Sequence, residues 1–98
     1  MNSGLLQQEY YKKLAQELEK LVDANGKVKS GYEERVNFIL NQLNETYGTE
    51  YKMVNGQIEK YNELKDNIYK TIEAEKAKIV LNANEEAYAN ALKSQVKN

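Results

Sequence analysis

The chain contains no cysteine and no histidine. Disulfides and thiolate metal sites are therefore impossible, and the commonest metal ligand and general base is missing. Most catalytic constellations fall with them. Proline is absent too, which removes the residue that most strongly breaks a helix. No apolar run approaches the roughly 20 residues needed to cross a bilayer, and the first residues lack a charged stretch followed by an apolar one. Neither a membrane partner nor a secretion signal is expected. Charge of one sign is lacking as well: 14 Lys and Arg are interspersed with 15 Asp and Glu, for a net charge of −1. No basic stripe emerges, so nucleic acid is not an expected partner.

What is present points to helices. Charged residues make up 30% of 98, which suits long uninterrupted helices laced with ion pairs. Leu, Ile, Val and Phe together supply 22 residues, just above the level at which a chain reads as disordered, so the core must be small. The fold class is predicted as all-α. Met1 to Gly4 is short and polar and is read as a cloning remnant. Residues 5–98 are then a single helical domain, a fragment of a longer protein. Asn44-Glu45-Thr46 matches a glycosylation sequon and is read as chance.

Three helices are predicted, over about 5–24, 31–47 and 56–96. In the first, Tyr10, Leu14, Leu18 and Leu21 recur at spacings of four and three, the stripe of an amphipathic helix. Asn25-Gly26 is expected to close it, because glycine tolerates the left-handed conformation of a helix end. Ser30 and Glu33 have the spacing of a capping box, which starts the second helix. Val36, Ile39, Leu40 and Leu43 share one face and Phe38 sits nearly opposite, so this helix is expected to be the most buried. Gly48 closes it.

Glu50 to Val54 is β-leaning and precedes Asn55-Gly56, the dipeptide of two-residue hairpin turns. The helical period resumes at once through Ile58, Tyr61, Leu64, Ile68 and Ile72, so Asn55 is assigned as the N-cap of the third helix instead. A short β pairing of 27–29 with 51–54 is allowed for. Asn25-Gly26-Lys27-Val28 and Asn55-Gly56-Gln57-Ile58 resemble each other, but the tyrosines after them are offset by one residue, and no repeat is assigned. The third helix continues its stripe through 79, 83 and 87, with Glu75 and Glu86 on the seam, nearer to an eleven-residue period than to heptads. Its second half is alanine-rich and buries little area. Two short helices cannot cover it, so self-association through Ile79, Ala83, Ala87 and Ala91 is expected.

A calcium loop beginning at Asp23 would place Lys27 at the fifth ligand position and Val28 where glycine is required. One beginning at Leu21 would lose both end ligands, to Leu21 and Tyr32. The stretch is read as a turn. Glu33-Glu34 and Glu85-Glu86 supply paired carboxylates, but adjacent helical residues diverge by about 100° and do not flank one bond. No catalytic, cofactor-binding or metal-binding residues are assigned, and no small-molecule substrate. Eight tyrosines, among them Tyr10, Tyr11, Tyr32, Tyr61, Tyr69 and Tyr88, read as helix packing with the hydroxyl at the water boundary.

The stretch from Val22 to Leu64, with Asn25-Gly26-Lys27-Val28 leading to Gly31-Tyr32-Glu33, the Gly48-Thr49-Glu50 break and Asn55-Gly56 before a long helix, carries a likeness that continues through Ala74 to Leu92. Over about three quarters of the chain it resembles a helical segment of tail tape-measure proteins of phages and prophages of low-GC Gram-positive bacteria. That resemblance implies a structural role in tail assembly and length determination, contacts with tail proteins, and a location in the virion tail lumen, after assembly in the bacterial cytoplasm. The turns at 25–31 and 48–56 fold the chain back, which suits a local folded node better than a ruler shaft. The rival expectation is a helical interaction module of a non-viral scaffold protein, docking a partner helix.

Overall fold

A computed structural model describes residues 3–96 as backbone and residues 3–84 with their side chains. The fold is all-α, with helices α1 (Ser3–Leu21), α2 (Glu33–Tyr47) and α3 (Tyr61–Val96). Between α2 and α3 lie two short antiparallel strands, β1 (Met53–Val54) and β2 (Gln57–Ile58). The molecule is a rod of 67 × 20 × 19 Å, and α3 alone accounts for roughly 54 Å of helix.

Contacts between side chains fix the directions of the helices. Glu19 meets Tyr69, Lys12 meets Glu73 and Glu9 meets Lys76, so rising numbers on α3 accompany falling numbers on α1. Likewise Glu17 binds Arg35 and Gln8 binds Tyr47. Both α2 and α3 are therefore antiparallel to α1. The core is one cluster: Tyr11, Leu14, Ala15, Leu18 and Val22 from α1 and its end, Val36, Ile39, Leu40 and Leu43 from α2, Tyr61, Leu64, Ile68 and Ile72 from α3, and Val28 and Ile58 from the connections. The predicted stripe of α3 is thus buried up to Ile72, and that of α1 is buried at Leu14 and Leu18, but Tyr10 is exposed, with Tyr11 buried in its place, and Leu21 is only partly buried.

Several predicted details are corrected. The first helix stops at Leu21, not near residue 24, because Val22 leaves it to bridge Val28. The same helix begins at Ser3, two residues before its predicted start. Ser30 does not cap α2: the cap position is Tyr32, with no side-chain hydrogen bond. Glu33 instead accepts from the Gly31 N–H at 2.9 Å, steadying the turn before the helix rather than closing a capping box. Gly48 closes α2 as expected, at φ 67 with its N–H on the Asn44 carbonyl. Phe38 is not buried. It is 42% exposed with the Arg35 guanidinium over its ring, so α2 buries one face only.

Asn55 is not a helix cap. Asn55 (φ 53) and Gly56 (φ 75) both adopt the left-handed conformation, the requirement of a tight two-residue hairpin. The helical period that runs through Ile58 is coincidental with a strand, and α3 starts only at Tyr61. Residues 27–28 pair not with 51–54 but with 56–58: Lys27 bridges Gln57.

Candidate functional site

The two Asn-Gly segments, far apart in sequence, come together as a matched pair. The Val28 N–H donates to the Gly56 carbonyl at 2.8 Å, and the Ile58 N–H donates to the Gly26 carbonyl at 2.7 Å. Each Gly-x-[Val/Ile] unit thus gives and receives the same bond, about an approximate two-fold centred on Lys27 and Gln57. Val28 and Ile58 turn inward and are buried, because two residues on in a strand restores the same face. The Gln57 amide adds a bond to the Asn25 carbonyl. Gly26 has no alternative here: its φ is +88, and a Cβ would stand 2.7 Å from the Ile58 carbonyl oxygen.

At this loop Asp23 binds its own backbone. One of its carboxylate oxygens accepts from the backbone N–H of Asn25 at 2.8 Å and of Lys27 at 3.0 Å. That is the geometry of a side chain organising its own turn. Among the described residues no group of three or more carboxylates gathers as a cation site. A hollow of about 410 Å³ beside the paired segments is lined by Ala24, Val54, Ile58, Lys60, Tyr61 and Asn62 among others. Among the described residues no buried polar side-chain atom lacks a partner.

The remaining candidates are dispersed. Glu33 is engaged with Gly31, Glu34 is exposed, and Glu85-Glu86 lie outside the residues whose side chains are described. The tyrosines pack largely as their chemistry suggests. The Tyr47 hydroxyl donates to Gln8 and that of Tyr69 to Glu19, both at 2.6 Å, while Tyr51 accepts from Asn67. Burial pushes Tyr47 and Tyr61 up to about 12, and the phenol of Tyr69 is raised further, first by burial and then by the hydrogen bond to Glu19. Tyr10 and Tyr32 stay exposed, and Tyr88 lies outside the described side chains.

Among the described residues, several exposed apolar groups share a level at the other end of the rod. Lys76 is level with Glu9, so the first residue of α1, Ser3, is level with about residue 82 of α3. Near this level Leu6 is 52%, Val80 45% and Leu81 57% exposed, with Leu5 and Ile79 half-buried. Beyond it, residues 83–96 run on for roughly 21 Å past the end of α1. No family model, curated protein or solved structure was found to match the chain.

Proposed function

We propose that this chain is a structural segment of a phage tail tape-measure protein, taking part in tail assembly and length determination. The family assignment comes from the likeness of its Asn-Gly and Gly-Thr-Glu punctuation to that class. The observation that carries the structural role is the proportion of the molecule: a slender rod dominated by one 36-residue helix, with its buried polar groups satisfied among the described residues. A helix converts residue count linearly into distance.

Deleting residues 5–96 in frame from the parent gene tests the reading. Tails shortened by up to about 140 Å are expected if the segment contributes as continuous helix, and by roughly 20 Å if it contributes only the part of α3 that overhangs the bundle. Tails of unchanged length, or a parent gene with no tail genes beside it, would overturn it. The exposed Leu6, Val80 and Leu81 favour a second reading, a module that docks a partner helix. Regulatory or signalling genes beside the parent gene would support that one.

A further inference from the structure

Both α2 and α3 make close backbone approaches to α1, and fewer to each other, so α1 is the piece on which the core depends. The start of α1 and the outgoing half of α3 lie at the same pole of the rod, because the two helices are antiparallel and Ser3 stands level with about residue 82. Anchorage along α1 is graded. At the Ser3 pole there are the exposed Leu6, the half-buried Leu5 and Ile79, and the ion pair of Glu9 with Lys76. Further down come the fully buried rows of Leu14, Ala15 and Leu18. At the far pole the paired Asn-Gly segments bind the loop after α1 to the hairpin.

We propose that the fold is a mechanical release unit: tension carried through the Ser3 end and the outgoing part of α3 peels α1 away turn by turn, weakest contacts first, and so dismantles the core. Two antiparallel helices pulled at the same pole break their contacts in sequence, and each turn resists alone. Pulled at opposite poles, the same helices must slide past one another, and all the buried rows resist together. A local opening that starts at a weakly packed terminus needs only a fraction of the global free energy. Such a release needs only this topology and the graded packing along α1, whatever the role of the parent protein.

The absence of cysteine allows handles to be attached at chosen sites. Ser3→Cys with Lys78→Cys loads one pole, and Ser3→Cys with Asn62→Cys loads opposite poles; all three positions are exposed. Circular dichroism first confirms that both variants fold. In an optical trap the same-pole variant should lengthen gradually, at a force lower by about a factor of two or more, whereas the opposite-pole variant should open in one abrupt step, since forced opening follows the barrier met along the pulling direction. Equal forces in the two geometries, or a higher force for the same-pole pair, would overturn the proposal.

Discussion

Replacing Gly26 by alanine should be among the most damaging single-atom changes available in this chain, and the size of the effect can be worked from three terms. The left-handed backbone at φ +88 costs an alanine about 1 kcal/mol. The new Cβ would sit 2.7 Å from the Ile58 carbonyl oxygen and 3.1 Å from the Tyr61 Cβ, so the segments must separate. Separation strains or breaks the 2.7 Å bond from the Ile58 N–H to the Gly26 carbonyl, at about 1 kcal/mol. It also loosens the packing of Val28 and Ile58. The expected loss is about 2–3 kcal/mol or more, against a total of about 5–15 kcal/mol for a domain of this size. Gly31→Ala is the internal control: its φ is +92, yet nothing lies within 4 Å of the added atom, so only the backbone cost of about 1 kcal/mol remains. Urea unfolding followed by far-ultraviolet circular dichroism compares the two. If Gly26→Ala is no more destabilising than Gly31→Ala, the close pairing of the Asn-Gly segments is not what holds the connections together.

Ser30→Ala should leave the urea midpoint within about 0.5 kcal/mol of the parent, because the hydroxyl caps no helix; a loss near 1 kcal/mol would restore the capping box. Tyr47 and Tyr61, held up to about 12 by burial, favour the folded state in their neutral form. Their contribution is therefore complete below the unfolded value of about 10 and is lost as pH rises from there through about 12. Phenolate absorbance and helicity measured together should show these tyrosines ionising late and with loss of helix, whereas a single transition near 10 with helicity intact would refute it. A chain ending at Lys78 should keep the melting temperature of the full chain to within a few degrees, because the described core ends at Ile72. Sedimentation equilibrium should show the full chain associating with concentration and the shorter one remaining monomeric, and two monomers would sink the expectation of pairing through α3.

Which features were legible follows from the range over which each one is determined. The stripes Leu14–Leu18 and Leu64–Ile68–Ile72 are set by a local period, and they are buried as the sequence predicts. Gly48 closes α2 because a left-handed residue after a helix needs only its own turn. Ser30, by contrast, has the spacing of a cap, but the chain between Lys29 and Tyr32 is already committed to its own turn, with the Tyr32 N–H on the Lys29 carbonyl. Phe38 stays exposed because its Arg35 neighbour, in turn held by Glu17 of α1, lies over the ring without burying it. The two Asn-Gly segments meet across some thirty residues, a range that no local period reports.

Their likeness is visible in the sequence, but it marks two pairing partners rather than a tandem repeat. Antiparallel segments that exchange equivalent bonds must each present the same short pattern, a glycine to allow close approach and a branched residue two positions on to enter the core. Internal likeness therefore arises without duplication, because both partners face one steric demand. The offset of the following tyrosines, which argued against a repeat, is explained by what each segment leads into. After Val28 the chain must turn through Gly31 before α2, whereas after Ile58 only Glu59 and the left-handed Lys60 precede Tyr61. Tyr61 is thus free to pack its Cβ beside Gly26, and Tyr32 is left exposed at the start of α2. Symmetry extends as far as the shared hydrogen bonds, and ends where the two segments serve different helices.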